Sequence, residues 1–114
     1  MAAAEEDPGA GCPLERLLRL LGTQWTPHLL WVLVHEGPMR FGALRRRLAG
    51  ISPKVLTERL RMLEAEGLVY RDAAASVPPR VTYGLTPRGR ALGDVLGGLD
   101  RVAHVLPEGA ETRA

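Results

Sequence analysis

Leucines recur along this chain at helical intervals and then, near residue 68, give way to alternation. Leu14, Leu17, Leu18 and Leu21 stand at relative positions 0, 3, 4 and 7, the stripe of an amphipathic helix. Pro13 falls in its first turn and Gly22 just past its end. A second helix is predicted from Thr26-Pro27 to Glu36, closed by Gly37-Pro38. Its centre, LLWVLV, is apolar on every side, so part of its cover is expected from a second chain. Phe41, Leu44 and Leu48 predict a short third helix. After a tight turn at Gly50-Ile51, Ser52-Pro53 opens a fourth helix with an N-cap hydroxyl and a first-turn proline. Leu56, Leu60 and Leu63 form its buried stripe, and Gly67 supplies its C-terminal cap.

The period then changes to two. In LVYRD, Leu68 and Tyr70 share a face; in RVTYGL, Val81, Tyr83 and Leu85 do. Between these strands AAASVPP is read as a hairpin loop, too proline-rich to continue either one. Thr86-Pro87 starts a last helix with Leu92, Val95, Leu96, Leu99 and Val102 on one side. Gly89, Gly93, Gly97 and Gly98 weaken that helix, so it needs packing to persist. The order is α-α-α-α-β-β-α without internal repeat, and three Ser/Thr-Pro pairs each mark a helix start. Helices three and four with their short turn make a helix-turn-helix, and the hairpin behind them makes it winged. The fold class is mainly α with a small β-hairpin wing, one domain over residues 12–106 between disordered tails at 1–11 and 107–114.

Composition narrows the class. The 114 residues are 46% hydrophobic and 25% charged, as in folded soluble proteins. No stretch is long enough to span a bilayer, and the N-terminus lacks the pattern of a secretion signal, so a cytoplasmic location is expected. The single Cys12 excludes an intrachain disulfide framework. The net charge of +2 hides a strong asymmetry. Arg40, Arg45, Arg46, Arg47, Lys54, Arg59 and Arg61 face a lone acid, Glu58, within the Arg40–Arg61 window, so the rest of the chain is acidic. A GC-rich coding bias accounts for arginine over lysine but not for this clustering. Arginine suits forked contacts with phosphate and guanine.

Lys54, Thr57, Glu58 and Arg61 share the face of the fourth helix opposite its leucines. In a winged helix-turn-helix that helix enters the major groove, and these side chains suit base reading: Arg or Lys for guanine, Glu for cytosine N4, Thr for a hydroxyl or methyl contact. Ser52 and Pro53 lie at the helix start, which attracts phosphate. Arg45, Arg46 and Arg47, with Arg71 and Arg80 flanking the wing, suit backbone contacts. The blander reading of the same charges is a solvated helical face.

Four runs, CPLERLLRLLG, WTPHLLWVLVHEGPMRFGALRRRL, GISPKVLTERLRMLEAEGLVYR and SVPPRVTYGLTPRGRAL, together resemble the HxlR-type winged helix-turn-helix regulators of bacteria over Cys12 to Leu99. The resemblance implies a cytoplasmic transcription factor on double-stranded DNA, dimerised through its first and last helices and reading a pseudo-palindrome, with repression the expected action. Two positions depart from the pattern: Ser76 stands where family members usually carry an acid, and Glu58 where they often carry Gln. The neutral wing tip AAAS leaves wing contacts to Arg71, Arg80 and backbone groups.

Cys12 precedes Pro13 and is read as the cap of the first helix, where the dipole favours negative charge. It matches the N-terminal cysteine through which some family members sense oxidants or electrophiles, which makes it a candidate redox sensor; its plain alternative is a helix-capping residue. His28 and His35 are too far apart along one helix to share a metal, and no metal or cofactor is expected. Trp25 and Trp31 are read as core or interface, beside a cavity between the first, second and last helices that suits a small aromatic effector. No phosphate loop, carboxylate pair in a motif or nucleophile–base set appears, so the chain is not read as an enzyme. The alternatives from other classes are a winged-helix interaction module that no longer binds DNA, and a ligand-binding, chaperone-like protein.

Overall fold

The computed structural model describes residues 12–78 and 80–107; residues 1–11, 79 and 108–114, and with them the expected tails apart from Pro107, lie outside the described residues. The elements run α1 (Pro13–Leu21), α2 (Thr26–Glu36), β1 (Met39–Arg40), α3 (Phe41–Arg47), α4 (Pro53–Ala65), β2 (Val69–Ala74), β3 (Arg80–Leu85) and α5 (Pro87–Ala103). Local chemistry starts two of these helices as the sequence predicts. Ser52 Oγ accepts the Val55 N–H at 3.1 Å, and Thr86 Oγ1 accepts the Gly89 N–H at 3.0 Å. Thr86 also donates its hydroxyl to the Gly67 carbonyl at 2.6 Å, so one side chain joins the end of α4 to the start of α5. The third Ser/Thr-Pro pair works differently. Trp25, at φ 75°, occupies the cap position of α2, and Thr26 is its first helical residue, buried with its hydroxyl unpartnered.

The core gathers on α2. Leu29, Leu30 and Leu33 meet Leu44 of α3, Leu48 just past its end, and Leu56, Leu60 and Leu63 of α4, and all are buried. The chain's own helices and sheet cover Leu29, Leu30, Val32 and Leu33 of α2, while Trp31 is half-buried and Val34 exposed, so part of α2 is left without cover. More uncovered apolar surface lies on α1 and α5. No residue of α1 is buried, and Leu14 and Leu18 of α1 with Val95, Leu99 and Val102 of α5 are each more than half exposed.

The sheet has three antiparallel strands in the order β1-β3-β2 rather than two. Met39 pairs with Tyr83 and Arg40 with Thr82; on the other edge Val69 to Ala74 pair with Leu85 to Arg80. Ala73 and Ala74, assigned to the loop by their position in AAASVPP, are thus paired strand residues. The inward residue of β2 is Val69, opposite Leu85, and Tyr70 lies on the other face over Gly84. Leu68 is buried just ahead of the strand, its N–H bonded to the Leu63 carbonyl at 2.9 Å.

The glycines of α5 have a packing role beyond lowering its propensity. A Cβ on Gly89 would collide with the Leu68 carbonyl, and one on Gly93 would stand 2.6 Å from Val34 Cγ2. At Gly89 α5 lies against the backbone just ahead of β2, and at Gly93 it abuts the Val34 side chain of α2.

Candidate nucleic-acid interface

Helix α4 divides its two faces cleanly. Leu56, Leu60 and Leu63 are buried, while Lys54, Glu58 and Arg61 are exposed and Thr57 is half-buried beside them. Lys54, Thr57 and Arg61 make no side-chain hydrogen bond or ion pair among the described residues. Ser52 and Pro53 at the helix start are exposed. Capping uses the Ser52 oxygen as an acceptor and leaves its O–H free to donate outward.

The arginines expected on phosphates are all exposed but not equivalent. Successive residues of a helix point about 100° apart, so the run in α3 fans out. Arg47 Nε donates to Glu36 Oε2 at 3.2 Å, closing α3 against the end of α2. Arg46 Nη1 lies 3.6 Å from where a Cβ on Gly42 would be, in a space glycine leaves open. Arg45 has no partner among the described residues. In the wing, Arg71 pairs with Tyr83 and Ala74 with Arg80. An odd and an even position of paired strands point opposite ways, so Arg71 and Arg80 occupy opposite faces of the hairpin. The two arginines expected to flank the wing therefore stand on different faces of it.

One arginine outside the expected set lies beside it. Arg40, exposed at the end of β1 and at the cap position of α3, helps line a hollow of about 440 Å³ with Phe41, Gly42, Ala43, Arg46 and Val81. Neither Arg40 nor Arg46 has an acidic partner among the described residues. Its presence in the basic window was the available signal; its placement depends on β1, which two residues cannot announce.

Known proteins share this arrangement. The family profile of HxlR-like helix-turn-helix proteins matches residues 20–107. The HTH-type transcriptional regulator sll1512 of Synechocystis is 42% identical over 100 residues, covering 84% of this chain and 73% of that one. Among solved structures, reduced YodB of Bacillus subtilis superposes with a TM-score of 0.75 at 36% identity, covering 85% of this chain and 95% of YodB. The redox regulator HypR in its reduced form gives 0.78 at 33% identity, with 88% and 98% covered. The chain belongs to the HxlR-like helix-turn-helix family.

As an HxlR-like protein it is a transcriptional regulator with a DNA-binding winged helix-turn-helix. Among the described residues no helix is long and apolar enough to cross a membrane. Cys12 of this HxlR-like chain sits half-buried at the cap position of α1, its carbonyl accepting the Arg16 N–H at 3.0 Å, but its thiol makes no capping hydrogen bond. That bond is the first of the helix itself, so Cys12 occupies the cap position without its side chain capping α1. The expected effector cavity also shifts. An open groove of about 430 Å³ lies between α1, α5 and the end of α4, with Leu17, Leu20, Leu68, Leu92 and Val95 among its lining, and α2 takes no part. Trp25 stacks on His28 with ring centres 6.0 Å apart, and Trp31 meets His35 edge-on at 4.1 Å, so neither tryptophan borders that groove.

Proposed function

We propose that this regulator is a homodimeric repressor that reads a pseudo-palindromic operator with α4 in the major groove. The observation that carries the reading is the face of Lys54, Thr57, Glu58 and Arg61, exposed or half-exposed, with three of the four free of partners and the leucines buried behind them. Arg61 or Lys54 would pair with guanine, Glu58 would accept from cytosine N4, and Thr57 would supply hydroxyl or methyl contact. Ser52, Pro53, Arg45, Arg46 and Arg40 would hold backbone phosphates on one side, with Arg71 or Arg80 holding them at the wing. Arg47, already paired with Glu36, would contribute least. The exposed apolar residues of α1 and α5 support a dimer through those helices, and a twofold dimer calls for an operator with matching symmetry.

Redox control of Cys12 is the regulatory part of the reading. It is supported by two similar structures, HypR, described as a redox regulator, and YodB, solved in reduced and diamide-treated forms. With one cysteine per chain, any disulfide within the dimer would have to join the two subunits.

Selection of bound duplexes from a random library, with and without diamide and with Cys12→Ser in parallel, tests both parts. The expected result is an inverted repeat with half-sites about 34 Å apart. Diamide should abolish its binding by the wild type but not by Cys12→Ser. Enrichment that ignores diamide removes the sensor and leaves the reader. No enrichment at any salt supports the second reading, an interaction module, which the acid at Glu58 and the uncharged wing tip favour.

A further inference from the structure

Arg59 stands in the middle of the basic window, yet its side chain is mostly buried on the flank of the reading face. It lies one residue and about 100° round the helix from Glu58, on the flank next to the leucine stripe. Its side chain is only 20% exposed. Nε donates to the Gln24 carbonyl at 2.8 Å, across 35 residues of sequence, and Nη1 lies 3.9 Å from Glu58 Oε1. Gln24 belongs to the turn between α1 and α2, and the next residue is Trp25 in its left-handed conformation. The indole of Trp25 reaches the other turn of the domain: its Cη2 would be 3.8 Å from a Cβ on Gly50, between α3 and α4. The α1–α2 turn therefore touches the reading helix at Arg59 and the turn that leads into it at Gly50. Beyond it, Arg16 of α1 pairs with Glu66 at the far end of α4 at 2.8 Å.

From these contacts we propose that Arg59 is a positioning residue: it fixes the α1–α2 turn to the reading helix and does not bind the DNA backbone. The inference rests on the reading of α4 as the recognition helix and assigns one of the seven cations of the basic window to a different task. The consequence is a mechanical link. A change in α1, which carries Cys12 at its start, reaches α4 through the Gln24 carbonyl.

The test depends on which atom donates. Gln Nε2 stands at the same number of bonds from Cα as Arg Nε, so Arg59→Gln keeps the donor and removes the charge. Arg59→Ala removes both. Affinity for a duplex recovered by the selection above is measured at several salt concentrations, with the near-ultraviolet circular dichroism of each DNA-free protein as a readout of the Trp25 turn. The expected result is an Arg59→Gln variant that binds like wild type with the same salt slope and the same spectrum. Arg59→Ala should bind about tenfold more weakly, again with the wild-type slope, and show an altered spectrum. If both variants lose affinity and both slopes fall by about 0.9, Arg59 is a phosphate contact and the proposal is overturned. Spectra identical in all three proteins would also overturn it, whatever the DNA data. Failure of the wild type itself to bind any duplex would instead refute the reading of α4.

Discussion

Arg45, Arg46 and Arg47 are neighbours in sequence and identical in chemistry, yet the helix gives each a separate task. Arg47 is held by Glu36, Arg46 reaches the hollow beside Gly42, and Arg45 stands free. Removing a phosphate contact lowers the salt slope of binding, whereas removing a base contact lowers discrimination. Arg46→Ala should therefore weaken every duplex about equally and reduce the slope by about 0.9, while Arg47→Ala changes it much less. Arg61→Ala and Lys54→Ala should cost about 1–3 kcal/mol of preference for the operator over unrelated DNA, with little effect on folding. Fluorescence anisotropy at graded salt separates these outcomes, and an Arg61→Ala variant with undiminished preference would remove Arg61 from the reading set.

At the scale of the element, α5 shows how a weak helix is kept in place. Gly89 lies against the Leu68 carbonyl, and Thr86 joins the same helix end to Gly67. Gly89→Ala gains intrinsic helix propensity, which in an exposed helix would stabilise by about 1 kcal/mol. Here overpacking against backbone outweighs that gain, and a net loss of about 1–3 kcal/mol is expected in urea unfolding. A variant as stable as wild type would mean that α5 can move away from β2. The same contrast explains what could be read beforehand. Leucine spacing and the Ser52 and Thr86 caps depend on neighbours within a few residues, so α1 to α5 were legible. Strand β1 is two residues whose pairing partners, Tyr83 and Thr82, lie more than forty positions away, and no local period announces it. Tyr70 was misplaced because Leu68 is buried before the strand begins, which shifts the inward position to Val69. On α4 the leucine stripe located the exposed face opposite it, but the opposite sides of the wing taken by Arg71 and Arg80 follow from hairpin register, which the loop did not disclose.

At the scale of the whole molecule, the basic window from Arg40 to Arg61 spans β1, α3 and α4, whereas α1 and α5 carry the exposed Leu14, Leu18, Val95, Leu99 and Val102 together with Arg16, Arg19, Arg88, Arg90 and Arg101. An all-round apolar α2 pointed to cover from a second chain; the chain's own core takes up Leu29, Leu30, Val32 and Leu33 and leaves Val34 exposed. In the proposed dimer the bare faces of α1 and α5 form the interface. Leu18→Glu together with Leu99→Glu should give a folded monomer by sedimentation, with affinity for the full operator lost and weak half-site binding retained. A dimer that survives both changes would place the interface elsewhere.

The proposed reading face of α4 has one more consequence. Lys54, Thr57 and Arg61 make no side-chain hydrogen bond or ion pair among the described residues, whereas Arg59 next to them is bonded to the Gln24 carbonyl. Duplicated genes for such a chain can exchange those side chains and acquire new targets with little loss of folding. The leucines, the caps and Arg59 stay under the constraint of stability throughout. Diversity of targets on a constant scaffold follows from where these few polar ends are, and are not, tied down.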